Sequence, residues 1–206
     1  MNKIVLSFLL AALLLFSVGC GDAKEEIPPV ETPAASERPE TGSVEEQEET
    51  TVELPQLDGP VFDAETVNLD GDAFNVLGFA REHDLTVVNF WATWCGPCVS
   101  EMPGLQSLHA RFEKGEDQSS VAILGVCLDA ENAGDVKAVL EYTGAAYPNI
   151  VFVQEMLEYV DLMYIPATVF LDKDGHIVGD PVVGAMDESL WLSEIEKRLG
   201  VLGLSL

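Results

Sequence analysis

Positive charge is scarce in this sequence. Its 206 residues include 10 lysines and arginines against 36 aspartates and glutamates, which gives a formal net charge of −26. A chain this acidic is repelled by the phosphates of nucleic acids and by anionic lipid headgroups. We therefore predict that the protein has no nucleic-acid partner, and we interpret its acidic surface as one that favours solubility.

Cysteine and histidine are also rare, with four of the former and three of the latter. The cysteines are not the evenly scattered set of a disulfide-stapled mini-protein; they are Cys20, Cys95, Cys98 and Cys127. Only two of them lie close together, there is no second CxxC motif, and the histidines are isolated. Because a structural zinc site needs four ligands at short spacing, we predict no metal and no cofactor.

The N-terminus lacks a hydrophobic run of the roughly 20 residues that cross a membrane as a helix. Its apolar run has 15 residues, 4–18, and lies between Lys3 and Cys20. This arrangement is typical of a secretory signal. Residues 1–20 resemble a bacterial lipoprotein signal, in which the cysteine is lipidated and becomes the new N-terminus, so we expect Cys20 to be lipidated. An ordinary cleaved signal peptide and a short uncleaved anchor are the alternatives, and all three place the following residues outside the cytoplasm.

Large apolar residues are nearly absent from residues 21–56, which are rich in proline and glutamate. Such a segment cannot bury enough apolar surface to offset the entropy lost on ordering. Charge repulsion and proline keep it extended. We predict a disordered acidic tether that holds a domain of residues 57–206 off the membrane.

Residues 57–206 carry alternating strand and helix patterns. A turn at Asp70-Gly71 predicts a small hairpin, and β-branched, apolar runs predict buried strands at 85–92 and 120–129. The remaining predicted elements are helices at 75–83, 95–112, 132–144, 154–163 and 187–200, and strands at 149–153, 167–172 and 176–184. For the last helix we expect an apolar face formed by Leu190, Ile195 and Leu199. The order predicts an α/β fold, a central mixed β-sheet flanked by helices, with an N-terminal β-hairpin extension.

The motif WCGPC at 94–98 has three interpretations: a structural disulfide, half of a metal site, or a redox pair. Strand 85–92 delivers Cys95 to a helix start, where unpaired N–H groups and the positive dipole end stabilise a thiolate. Cys98 lies one turn later, within disulfide reach. Exchange needs an attacking thiolate and a second thiol that resolves the mixed disulfide. A CxxC beside a βαβ pattern favours the redox pair, with Cys95 as nucleophile, Cys98 as resolving thiol and Trp94 shielding both.

The stretch VVNFWATWCGPCVSEMPGL, residues 87–105, resembles the TlpA/ResA-type branch of the thioredoxin-like family, and YIPATVFLDKDGHIV, residues 164–178, is a second match. The resemblance runs from about residue 62 to residue 199 and implies a thioredoxin-like fold. It implies that Pro166 is the family's cis-proline beside the CxxC pair, exposing the backbone of Ile165 to a substrate segment. We expect Trp94 and Ile165 to contact the substrate.

Two positions differ from plain thioredoxin, which carries a buried aspartate six residues before its first cysteine. That position is Asn89 here, and an amide does not titrate. Glu101 matches the acidic residue that the ResA-type branch places near its thiols, and it shares a helix face with Cys98. A desolvated carboxylate there would have a raised pKa and could accept the thiol proton; a solvated surface glutamate is the alternative. Cys127, mid-strand, is expected to be buried and inert.

The resemblance implies a membrane-tethered, extracytoplasmic reductase of disulfides in exported proteins, recharged by a membrane thiol carrier. Keeping apocytochrome c thiols reduced is one role within the family. The dipeptide Gly96-Pro97 resembles that of reducing thioredoxins and favours a reductase over an oxidase. A disulfide oxidase, an antioxidant-defence redoxin and a non-enzymatic lipoprotein adaptor are the alternatives, and the presence of both cysteines disfavours the adaptor.

Overall fold

The computed structural model describes residues 59–206. The predicted signal peptide at 1–20, the lipidation site Cys20 and the tether at 21–56 lie outside the described residues. None of the helices within 59–206 is long and apolar enough to cross a membrane.

A five-stranded mixed sheet forms the centre of the described domain. Its strands, in spatial order, are β5 (Asn149–Val151), β4 (Val121–Cys127), β3 (Leu85–Trp91), β6 (Ala167–Asp172) and β7 (Val182–Val183). The first three run parallel, while β6 is antiparallel to β3 and β7 is antiparallel to β6. The helices are α1 (Val76–Ala80), α2 (Gly96–Phe112), α3 (Ala133–Thr143) and α4 (Glu188–Val201). The predicted α/β class with a mixed sheet and flanking helices is confirmed.

The predicted N-terminal hairpin is also confirmed. Strands β1 (Glu65–Val67) and β2 (Ala73–Asn75) pair antiparallel. In the turn between them, the side-chain oxygen of Asn68 accepts hydrogen bonds from the backbone N–H groups of Asp70 and Asp72, at 3.0 and 2.9 Å. Gly71 has φ of 92°, a conformation that glycine adopts without steric cost.

The side chains of β3 alternate between two apolar cores, as the two-residue period of a strand requires. Val87 and Trp91 belong to the core that contains α2 and α4 residues, whereas Val88 and Phe90 belong to the core on the opposite face. By the same period, Asn89 faces the side of the sheet covered by α2. This places a buried amide directly beneath the helix that begins after Cys95.

Several predicted elements are shorter than expected, among them the helix predicted at 75–83, which is α1, and the strand predicted at 149–153, which is β5. The helix predicted at 154–163 is a 3₁₀ helix, Gln154–Glu158, and beyond it the carboxylate of Asp161 accepts a hydrogen bond from the N–H of Met163 at 2.9 Å. That local side-chain bond competes with helix continuation. The strand predicted at 176–184 is reduced to β7 and two isolated bridges, at His176 and Ile177. Residues 176–178 still bond to β6. Arg198 then binds the carbonyls of Val178 and Asp180, at 2.7 and 2.8 Å, where the regular pairing stops.

The closing helix α4 packs by a face that differs from the predicted one at one position. Ile195 and Leu199 are fully buried, as expected, but Leu190 is 53% exposed and its neighbour Trp191 is buried instead. Trp191 lies 6.4 Å from the ring of Phe170 on β6. The larger indole occupies the contact with the sheet because its surface offers more apolar area to bury.

Candidate active site

The two cysteines of the CxxC motif lie at the N-terminus of α2, immediately after β3. Cys95 is the N-cap residue of this helix, and its own N–H donates to the carbonyl of Ala92 at 3.1 Å, which closes a tight turn. The Cys95 and Cys98 sulfur atoms form a disulfide bond, with Cα atoms 5.3 Å apart. The sequence prediction that these two residues pair is therefore met by the geometry.

The two sulfur-bearing residues differ in their environment. The N–H of Cys98 donates to Sγ of Cys95 at 3.2 Å, so the first turn of the helix stabilises negative charge on that sulfur when it is reduced. Cys95 is 5% exposed and Cys98 is fully buried. Only the first residue of the pair has a surface that a second molecule can reach.

The loop before β6 faces the same sulfur. The Ile165–Pro166 peptide bond is cis, and the Ile165 carbonyl oxygen lies 3.7 Å from Sγ of Cys95. Large apolar side chains are exposed in both flanking segments: Trp94 at 71%, Met163 at 73% and Tyr164 at 68%. Most of the surface of Trp94 therefore faces solvent, and its expected shielding of the cysteines stays a prediction.

Glu101 is buried on α2, one turn after Cys98, with 3% of its surface exposed. Its Oε1 accepts a hydrogen bond from Nδ2 of Asn89 at 2.9 Å, and its Oε2 accepts one from the N–H of Met186 at 3.2 Å. The indole N–H of Trp191 also lies near the carboxylate, outside hydrogen-bond geometry. The alternative of a solvated surface glutamate is therefore wrong.

The electrostatics of Glu101 suit proton exchange near neutral pH. Burial raises the pKa of its carboxyl group to about 7, and the hydrogen bonds from Asn89 and Met186 oppose a larger rise because they stabilise the anion. A group with this pKa is present in both protonation states at neutral pH, which is what a proton acceptor that must also release the proton requires.

A second polar cluster at this site was not predicted from the sequence. The buried carboxylate of Asp129 accepts hydrogen bonds from both the N–H and the hydroxyl of Thr93, two residues before Cys95. Burial alone would raise the pKa of Asp129, but the bonds from Thr93 and Asn132 outweigh it and lower the pKa. Thr93 follows β3 and Asp129 follows β4, and neighbouring parallel strands end at the same edge of a sheet. This pattern in the sequence could have predicted that the two residues lie close together.

Cys127 is buried and free, as expected. Burial raises the pKa of its thiol to about 12, so at neutral pH it offers almost no thiolate. This environment argues against a reactive role for Cys127 beside the Cys95/Cys98 pair. Among residues 59–206, no group of three or more histidine, cysteine, aspartate or glutamate side chains is arranged to hold a metal ion.

Known proteins resemble this chain over the same region. The model of the AhpC/TSA family matches residues 54–179. Thioredoxin-like protein YneN of Bacillus subtilis (strain 168) is 27% identical over 113 residues, 55% of this chain and 62% of that protein. Thiol-disulfide oxidoreductase ResA of Geobacillus thermodenitrificans (strain NG80-2) is 32% identical over 105 residues, 47% of this chain and 58% of that protein. The matched segments thus span about three fifths of each of these relatives.

Among solved structures, a thiol:disulfide interchange protein of the thioredoxin family from Chlorobium tepidum TLS superposes with a TM-score of 0.56 at 23% identity, over 68% of this chain and 94% of that one. This likeness shows that the described domain has a thioredoxin-like fold. The family model matches well over half of the chain and includes the CxxC motif, and so the protein belongs to the AhpC/TSA family.

Proposed function

We propose that the protein is a thiol-disulfide oxidoreductase that reduces disulfides in exported proteins through a Cys95/Cys98 dithiol-disulfide cycle. The observation that carries this proposal is the position of the Cys95 sulfur. It lies at a helix N-terminus, beside the Ile165 carbonyl of the cis-proline loop, in the one residue of the pair with exposed surface. These are the requirements of an attacking thiolate that must meet an extended substrate segment.

In the first step, the Cys95 thiolate attacks a substrate disulfide. A bond forms between Cys95 Sγ and one substrate sulfur, the substrate S–S bond breaks, and the second substrate sulfur leaves as a thiolate that takes a proton from solvent. The exposed backbone of Ile165 and the ring of Trp94 are suited to hold the substrate segment beside the sulfur. In this exchange Cys95 Sγ passes from the thiolate to the disulfide level and the leaving substrate sulfur passes from the disulfide to the thiolate level, so the step balances without an external oxidant.

In the second step, Cys98 attacks Cys95 Sγ and releases the substrate. The Cys98 thiol first gives its proton to the Glu101 carboxylate, and the resulting thiolate forms the Cys95–Cys98 disulfide while the bond from Cys95 to the substrate breaks. The substrate leaves with two electrons gained and the enzyme pair has lost two. The buried carboxylate with a pKa of about 7 supports this role for Glu101.

The oxidised pair then needs two electrons and two protons, which we assign to a membrane thiol carrier. The predicted export signal supports an extracytoplasmic location and anchoring through a lipid on Cys20, with disulfide-containing exported proteins as substrates. Apocytochrome c is one substrate class that fits, because its thiols must be reduced before haem attachment. The Gly96-Pro97 dipeptide supports reduction rather than oxidation.

The test is insulin reduction by the purified full-length chain with dithiothreitol as electron source. We expect turnover that is lost in Cys95→Ser and in Cys98→Ser, whereas the Cys127→Ser control retains it. The absence of turnover in a folded sample would refute the redox function. Direction is tested separately by equilibration with glutathione: a potential near about −270 mV supports a reductase, and one near about −120 mV an oxidase.

A further inference from the structure

Asn89 is the one amide in the seven-residue strand β3, and every residue of that strand is buried. Its Nδ2 donates to two acceptors: Oε1 of Glu101 on α2, at 2.9 Å, and Oγ1 of Thr168 on β6, at 3.0 Å. The amide nitrogen has two hydrogens, so both are used. The side chain thereby joins three elements, and Thr168 lies two residues after the cis-proline.

The other half of the same amide is left without a partner. Oδ1 of Asn89 is buried and accepts no hydrogen bond among the described residues. A buried acceptor without a partner destabilises the folded protein, and an apolar leucine with the same branching would carry no such acceptor. An asparagine at this position therefore has its use in what Nδ2 donates to, not in what Oδ1 accepts.

We propose that Asn89 is a positioning residue for the proton acceptor: its amide holds the Glu101 carboxylate towards the thiols and stabilises its ionised form, and Thr168 orients that amide. The inference rests on the proposed role of Glu101 in resolving the mixed disulfide. An ionised carboxylate can only accept, so it is Glu101 that requires Nδ2, rather than Oδ1, to face α2. Thr168 Oγ1 accepts the second amide hydrogen and so fixes the plane of the amide in that orientation.

Among the groups around Glu101, the Asn89 amide is the side-chain donor whose removal should change the pKa of the carboxyl group most directly. Tyr147, in the loop before β5, interacts electrostatically with the carboxylate. Burial raises the pKa of this phenol above its ordinary value, so the phenol stays neutral at neutral pH. On α2 itself Cys98 lies one turn before Glu101, and in the disulfide it does not titrate. Trp191 of α4 and the backbone N–H of Met186 do not titrate. Glu188 of α4 packs its backbone against Gly104, and its side chain is exposed.

The sign of the effect follows from which state each bond stabilises. A donor facing an ionised carboxylate stabilises the anion, and such charge-assisted bonds are the stronger kind. Removing the Asn89 donor while keeping the site dry leaves desolvation opposed by the Met186 N–H but no longer by the amide, so the pKa of Glu101 should rise further above its ordinary value. Asn89→Leu removes the donor while keeping the number and branching of the side-chain heavy atoms, and Thr168→Val removes the orienting oxygen at nearly constant shape.

The experiment measures the ¹³C carboxyl shift of Glu101 against pH in the oxidised full-length chain, with Glu101→Gln used to assign the signal. We expect the midpoint to move up by about one pH unit or more in Asn89→Leu, and by less, in the same direction, in Thr168→Val. Thr86→Val is the matched control, because Thr86 is buried on the same strand and its hydroxyl has no partner among the described residues; its midpoint should equal that of the wild type.

An unchanged or lowered midpoint in Asn89→Leu would overturn the inference, as would an equal shift in Thr168→Val and Thr86→Val, which would show a general effect of packing. A second readout is the pH profile for release of the mixed disulfide, whose midpoint should move with the carboxyl midpoint. The titration needs no activity. If Glu101→Gln leaves release unaffected while the titration behaves as expected, the proposed role of Glu101 fails and the positioning of its carboxylate by Asn89 stands.

Discussion

At the scale of single residues, the site differs from plain thioredoxin in where its buried carboxyl group lies: on the helix rather than on the strand. Thioredoxin-like chemistry needs a base near the resolving thiol, and here the strand position six residues before Cys95 is the amide Asn89. The carboxylate is instead Glu101 on the helix, and the amide now binds it at 2.9 Å. The pKa of that carboxyl group, about 7, results from burial opposed by hydrogen bonds.

Replacing the carboxyl group tests its role in catalysis. We expect Glu101→Gln to slow release of the mixed disulfide by about 100-fold, as loss of a general base does, because Cys98 then lacks its proton acceptor. Stopped-flow measurement of the two steps should show attack by Cys95 almost unchanged. The matched control is Glu113→Gln, an exposed glutamate that caps the C-terminal end of the same helix. Equal slowing of both steps would contradict the assignment.

The same carboxyl group should leave a signature in the pH dependence of stability. Its pKa is about 7 in the folded protein against 4.5 for the free group, so between these values the folded state holds a proton that the unfolded state has lost. The contribution of Glu101 to the free energy of unfolding therefore falls as pH rises from about 4.5 to about 7. The whole decrease is on the order of 3 kcal/mol at most, and the contribution is level above pH 7.

Urea unfolding of the oxidised protein at several pH values checks this, with Glu101→Gln as the comparison. The difference in unfolding free energy between the two proteins should change across that window and stay constant above pH 8. A difference that is independent of pH would mean that Glu101 titrates at its ordinary value in the folded protein.

At the scale of elements, the closing helix α4 supports the site from behind. Its N-terminal loop supplies the Met186 N–H to Glu101, and Trp191 packs beneath the carboxylate and against Phe170. We expect Ile195→Ala, in the buried face, to lower the free energy of unfolding by about 2–5 kcal/mol. Leu190→Ala, on the same helix but half exposed, should change it by less than about 0.5 kcal/mol. Similar losses for both, in denaturant titration, would contradict the packing of α4 described above.

Elements with strong local patterns were predictable from the sequence. The β-branched run before Cys95 and its continuation into a helix gave β3 and α2, and hence the positions of both cysteines, because buried parallel strands are continuous apolar runs. The segment 154–163 was not, since the side chain of Asp161 competes for the backbone after one short 3₁₀ helix. The end of the strand predicted at 176–184 was not predictable either, because Arg198, twenty residues after Val178, binds the carbonyls at which the pairing stops.

Contacts between distant segments account for what was missed in the site. Asn89 lies opposite Thr168 in the register of β3 and β6, and no local pattern specifies a register between strands that far apart. The hydrogen bond from the backbone N–H of Met186 to Glu101 could not be predicted from the sequence, because every residue except proline has such a donor. Glu101 was found because its spacing from Cys98 is fixed by the helix itself.

At the scale of the whole molecule, we expect the domain to lie at the outer face of a membrane, because the sequence predicts an export signal and an acidic tether before it. We expect Cys20→Ala to move the chain from the membrane fraction to the soluble fraction of bacterial cells, and labelling with a radioactive fatty acid to be lost in parallel. Cys127→Ala is the control and should be labelled like the wild type. Labelling that persists in Cys20→Ala would contradict the lipoprotein prediction.

The central claim is that Cys95 attacks and Cys98 resolves, and trapping the mixed disulfide tests it most directly. Reduced Cys98→Ala and reduced Cys95→Ala are each mixed with a peptide that contains one disulfide, and the adducts are located by mass spectrometry after digestion. We expect a stable peptide adduct on Cys95 in the first variant and no adduct on the buried Cys98 in the second. An adduct that forms on Cys98 at a comparable rate, or the absence of one on Cys95, would contradict this assignment.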